Sequence, residues 1–127
     1  MEREPEVAKI LIIEDDNEVR DFLESVLSRA GYQTETAANG RAGLQVFRSQ
    51  PFDLVITDII MPEKDGIETI MDMKREQHDL KVLAISGGGR AEPDNYLESA
   101  RLLGADATMK KPFTHQEMLE TIGELLG

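Results

Sequence analysis

Four short stretches of the 127-residue sequence carry side chains that could work together: Glu14-Asp15-Asp16, Asp58, Ser86 and Lys110-Lys111-Pro112. Brought into one small region, they would combine several carboxylates with a hydroxyl and an amine. Packed carboxylates repel one another, and a hard divalent cation such as Mg²⁺ relieves that repulsion through oxygen ligands. Each stretch alone has an ordinary structural reading. Acidic residues after a strand often cap the next helix, a role open to Asp16 or Asn17. An aspartate in a loop is commonly a turn residue, and a lysine is commonly a solvated surface charge. What argues for a site is that all four stretches stand at the ends of β-rich runs.

The elements that must position them follow from a regular alternation of apolar and amphipathic segments. Residues 7–13, 53–57 and 80–86 are nearly continuous apolar runs, as strands covered on both faces should be. Weaker strands are expected over 32–36 and 105–109. Val19, Phe22, Leu23, Val26 and Leu27 recur at helical spacing and are stopped by Gly31. Further helices are expected over 40–49, around Ile67, Ile70, Met71 and Met73, from Pro93 to about Leu103, and over 115–126. Five strands alternating with five helices predict an α/β, flavodoxin-like, doubly wound parallel sheet in the order 2-1-3-4-5. In such a sheet, ligands bind beyond the carboxyl ends of the strands. Those ends are where Glu14-Asp15-Asp16, Asp58, Ser86 and Lys110-Lys111 fall.

Composition narrows the classes. A net charge of −11 disfavours nucleic-acid binding, which needs a basic face. The absence of cysteine removes disulfides and thiol chemistry and fits a reducing cytoplasm. No apolar run reaches the roughly 20 residues of a membrane span. The acidic start, Met1 to Glu6, does not read as a signal peptide. The expectation is one domain over residues 1–127, with its core over about 7–127, cytoplasmic and monomeric or weakly dimeric. The last helix ends one residue before Gly127, which leaves no room for an attached output domain in the sequence as given.

The sequence resembles the receiver domains of two-component response regulators over about residues 7 to 127. The resemblance rests on Ile10 to Asp16, on Asp58-Ile59-Ile60-Met61-Pro62-Glu63-Lys64-Asp65-Gly66, on Ala84-Ile85-Ser86-Gly87, and on Gly104-Ala105-Asp106 leading to Lys111-Pro112-Phe113. It implies that Asp58 is the phosphoacceptor, with Ser86 and Lys111 contacting the phosphoryl group. It also implies a Mg²⁺ (or Mn²⁺) bound by Asp15, Asp58 and the backbone carbonyl of Ile60, with Glu14 holding metal-bound water. Lys111, rather than Lys110, takes the lysine position because it directly precedes proline. The implied partners are a histidine kinase or histidine phosphotransfer protein upstream and an output protein downstream. The only reaction implied is turnover of the domain's own phosphoryl group.

Three departures stand out. Thr108 occupies a position that is usually Tyr or Phe, so the ring that normally moves during switching is missing. The segment between Ser86 and Lys111 is long and opens with Gly87-Gly88-Gly89, which predicts a mobile loop. Ile60 and Gly88 stand at two positions that influence water access in the family, and neither can orient an attacking water with a side chain. Rival readings are weaker. A metal-dependent aspartyl phosphatase would carry a second acid where Ile60 stands, and a nucleotide-binding loop would need a lysine and hydroxyl pattern that the glycine run lacks. His78 and His115 have no partners at catalytic spacing and read as surface residues.

Overall fold

The computed structural model describes residues 7–59, 66–86, 98, 100, 101 and 103–127. Five strands, β1 (Lys9–Ile13), β2 (Gln33–Ala37), β3 (Leu54–Asp58), β4 (Lys81–Ser86) and β5 (Ala107–Lys110), form one sheet in the order β2-β1-β3-β4-β5. Every neighbouring pair is parallel. Both the topology and the flavodoxin-like arrangement are those expected from the alternation. Among the described residues there are four helices instead of five: α1 (Asn17–Arg29), α2 (Gly40–Ser49), α3 (Gly66–Glu76) and α4 (His115–Leu126). The helix expected between Pro93 and Leu103 lies largely outside the described residues, although Glu98, Ala100 and Arg101 are helical.

Two apolar layers hold the helices to the sheet. Leu11, Ile13, Val55, Val82 and Ala84 point to the face covered by α2 and α3, where Leu44, Phe47, Ile70 and Met73 are buried. Ile10, Ile12, Leu54, Ile56, Leu83 and Ile85 point to the other face and meet Leu23 and Leu27 of α1 and Met118 and Ile122 of α4. Each such side chain contributes roughly 1.5–3 kcal/mol by leaving water. Helix starts are set by local chemistry. Asp16 caps α1 by accepting from the N–H groups of Glu18 and Val19, and Asn39 caps α2. Thr114 and Glu117 form a reciprocal capping box on α4.

Two of the apolar residues that the sequence places on helices are exposed. Phe22 is 40% and Met71 38% exposed. The buried stripe of α1 runs through Leu23 and Leu27, one position beyond Phe22, whose ring lies near that of Phe113 with centroids 6.4 Å apart. On α3 the buried positions are Gly66, Thr69, Ile70 and Met73, a spacing of three, four and seven that leaves Met71 on the outer side. His78 and His115 are exposed, as expected.

Candidate functional site

Strand alternation decides which side chains can meet. On β1, Ile10 and Ile12 face α1 and α4, and continuing that period of two puts Glu14 on the same side. The same parity carries Leu54 and Ile56 to Asp58 on β3, and Ala107 and Met109 to Lys111 beyond β5. Ser86 follows Val82 and Ala84, so it has the opposite parity at the end of β4. The register completes the gathering. Ile13 pairs with Thr57, Asp58 with Ile85 and Ser86 with Lys110, so the four strand ends stand side by side.

The result is a compact acidic pocket. Glu14 is fully buried, Asp58 is 5% exposed and Ser86 4% exposed, while Asp15 is exposed at the rim. One carboxylate oxygen from each of Glu14, Asp15 and Asp58 lies within 4.8 Å of the others. The Lys111 ammonium is 2.5 Å from Glu14 Oε1 and 3.4 Å from Asp58 Oδ2. The Lys111 backbone N–H donates to Ser86 O at 2.9 Å, and the Lys111–Pro112 peptide bond is cis. Lys110 is exposed on the other side of the strand. Asp16 lies outside the pocket, since its carboxylate is used in capping α1. Ile60 lies outside the described residues, as do Gly88 and the rest of the glycine-rich loop.

Burial and the Asp58 carboxylate push the Glu14 carboxyl up to about 8, against the opposing pull of Lys111. Burial also works against the Lys111 charge, but Glu14 and Asp58 outweigh it and raise the ammonium above its ordinary value. The two directions compete, because a protonated Glu14 gives Lys111 less to pair with. The raised Glu14 is the firmer of the two, since its side chain is entirely out of water and a second carboxylate adjoins it. Glu14 Oε2 and Asp58 Oδ1 are buried without a hydrogen-bond donor. Such orphaned oxygens are costly, and a hard cation satisfies them. With Asp15 at the open side, this all-oxygen set fits Mg²⁺ or Mn²⁺.

One structural requirement of the site was not legible as such. A Cβ on Gly66 would come within 2.0 Å of Asp58 O and 2.7 Å of Ile59 Cα. The Gly66 N–H donates to Ile59 O at 2.6 Å, so α3 starts against the backbone that carries Asp58. A glycine opening a helix just after a turn is the signal that could have revealed it.

Residues 10–123 match the response regulator receiver domain. The chain belongs to this family. It is similar to the response regulator receiver protein CpdR of Brucella abortus, with 34% identity over 93% of this chain and 96% of that protein. The probable transcriptional regulator ycf27 of Cyanophora paradoxa is also 34% identical over 93% of this chain, which spans only 48% of it. Among solved structures, the chemotaxis protein CheY4 of Vibrio cholerae superposes with a TM-score of 0.86 at 27% identity, covering 95% of this chain and 100% of that one. A CheY-like receiver domain protein of Methanospirillum hungatei superposes with a TM-score of 0.89 at 28% identity, covering 95% of this chain and 94% of that one. The receiver domain thus has its family's fold and an acidic cluster at the carboxyl end of its sheet. Among the described residues, no helix is long and apolar enough to cross a membrane.

Proposed function

We propose that this receiver domain takes one phosphoryl group onto Asp58 from the phosphohistidine of a histidine kinase or histidine phosphotransfer protein, and signals to a protein partner through the resulting conformational change. The observation that carries this reading is the state of Asp58. Its carboxylate is buried at the end of β3 with Oδ1 lacking a donor, beside two further acids and within 3.4 Å of the Lys111 ammonium.

The chemistry follows from those positions. A carboxylate has two oxygens, so one oxygen of Asp58 can attack phosphorus while the other holds the cation. The P–N bond to the donor histidine breaks, and the electron pair leaves with the ring nitrogen; a ring already protonated at its other nitrogen departs as neutral imidazole. The product is an aspartyl phosphate, a mixed anhydride. Attack of water on its phosphorus returns the Asp58 carboxylate and inorganic phosphate. On this reading Lys111 turns from Glu14 toward the phosphoryl oxygens, and Ser86 donates its hydroxyl to one of them. Asp15 and Asp58 would hold Mg²⁺ or Mn²⁺ directly, with the Ile60 carbonyl as a further ligand and Glu14 through water. When bound, the cation supplies positive charge opposite the phosphoryl oxygens. No separate substrate is turned over, so the domain acts as a switch and not as an enzyme.

Incubation with acetyl phosphate and Mg²⁺, followed by intact-mass measurement, tests the reading. The wild type should gain the mass of one phosphoryl group, and should gain none in chelator or as Asp58→Ala. An unchanged wild-type mass, or full labelling of Asp58→Ala, would overturn it.

A further inference from the structure

We infer that Arg20 is a positioning residue for the metal pocket, acting through the Glu14 backbone, an inference that rests on the metal reading proposed above. Arg20 is half-buried in the first part of α1 and faces back toward the end of β1. Its Nη1 donates to the Glu14 carbonyl oxygen at 2.8 Å. Its Nη2 donates to Asn17 Oδ1, which steadies the other arm of the guanidinium. The opposite side of Glu14 is held as well, because its N–H donates to Ala37 O of β2 at 3.0 Å.

The consequence reaches Asp15. A peptide unit is planar, so fixing the Glu14 carbonyl also fixes the Asp15 N–H and the direction in which the chain enters the Asp15 Cα. Asp15 lies between the end of β1 and the start of α1, outside either ladder, so this peptide plane orients the exposed carboxylate of the metal set. A guanidinium suits the task because its donors sit in a rigid planar fork.

Charge and geometry make opposite demands here, which gives the inference a sign. A cation beside the pocket repels an incoming Mg²⁺, so if the charge of Arg20 mattered most, removing it would tighten metal binding. If its hydrogen bonds matter most, removing it loosens binding. Groups that orient metal ligands from behind commonly cost tenfold or more in affinity when removed.

The test measures Mn²⁺ binding to the full chain by electron paramagnetic resonance of the free ion, with Mg²⁺ as competitor. Arg20→Ala should raise the Kd about tenfold. Arg20→Lys, which keeps the charge without the fork, should fall between Arg20→Ala and wild type. Asn17→Ala, which frees one arm of the guanidinium at an exposed position, should weaken binding about two- to threefold, on the reasoning that it removes one of two supports. In chelator, the Asp15 amide of Arg20→Ala should show a lower order parameter than in wild type, a readout independent of metal and activity. Unchanged or tighter metal binding in Arg20→Ala, with an unaltered Asp15 amide, overturns the role of Arg20. If Arg20→Ala does not fold, Arg20→Lys and Asn17→Ala binding as wild type overturns it equally. A wild type that binds neither metal instead rejects the metal reading beneath it.

Discussion

The metal-free protein should lose stability as pH rises from about 5 to 8, and Glu14 is the reason. In the folded state its carboxyl is pushed up to about 8, mainly by burial and then by Asp58, against an ordinary value of 4.5. Between those two values the folded protein holds a proton on Glu14 that the unfolded chain has released. A state that binds more protons is favoured by low pH, so folding stability is full below about 4.5 and falls as pH climbs through 8. A tenfold difference in proton affinity between the folded and unfolded states is worth about 1.4 kcal/mol, which sets a ceiling of about 5 kcal/mol across the window. Water entering the metal-free pocket lowers that ceiling. For a typical urea dependence of about 1.5 kcal/mol per molar, the unfolding midpoint should drop by up to about 1 M per pH unit. The assay is urea unfolding followed by far-ultraviolet circular dichroism, in chelator, from pH 5.5 to 8.5. Glu14→Gln, neutral and of the same shape, serves as control and should remove most of the slope. Saturating Mg²⁺ should also flatten it, since a cation in the pocket favours the deprotonated Glu14 carboxylate. Parallel curves for wild type and Glu14→Gln in chelator would refute the reasoning, because Glu14 would then be an ordinary carboxylate paired with Lys111.

Asp58→Asn should stabilise the metal-free protein at pH 8.5 by about 1 kcal/mol or more, or roughly 3–6 °C in a thermal melt, by removing a negative charge beside Glu14; a lower melting temperature in chelator would count against like-charge repulsion in the pocket. Gly66→Ala should cost about 2 kcal/mol or more by urea unfolding, because the added Cβ would meet backbone atoms of Asp58 and Ile59, which cannot rotate aside. A near-neutral result would mean that α3 shifts freely against β3. Lys111→Ala should still become phosphorylated but should lose most of the amide chemical-shift response to a beryllofluoride phosphoryl mimic, and a wild-type-sized response would remove Lys111 from the switching step.

The sheet was legible because β1, β3 and β4 are almost entirely buried, so their sequences are unbroken apolar runs that nothing else in the chain imitates. Parity within those runs carries more than the number of strands. Counting by twos from Ile10, from Leu54 and from Ala107 brings Glu14, Asp58 and Lys111 to one face, and it separates Lys111 from Lys110 without any resemblance. Parity cannot show that Glu14 is sealed from water while Asp15 stands exposed, since three adjacent acids look alike in sequence. Their difference depends on how the chain turns from β1 into α1, where Asp16 is taken up by capping and Arg20 returns to the Glu14 carbonyl. The exposure of Phe22 and Met71 was hidden for a related reason. Helical spacing names a stripe, but only contact with the sheet decides which neighbouring stripe is inner.

The same parity bears on how a signal could leave the pocket. Ser86 belongs to the α2 and α3 side of β4, while Lys111 belongs to the α1 and α4 side of β5. A phosphoryl group on Asp58 would therefore be held from both sides of the sheet, on the proposed reading. The two holders are not independent, because the Lys111 N–H is bonded to Ser86 O at 2.9 Å. A pull on either side chain thus loads the same junction between β4 and β5. One register step back along that junction, Ala84 pairs with Thr108, which is half-buried. Two small side chains there offer no bulky group to move in or out when Ser86 shifts. On the proposed reading, a displacement of Ser86 would therefore be carried by the main chain of the β4–β5 junction and not by a moving ring.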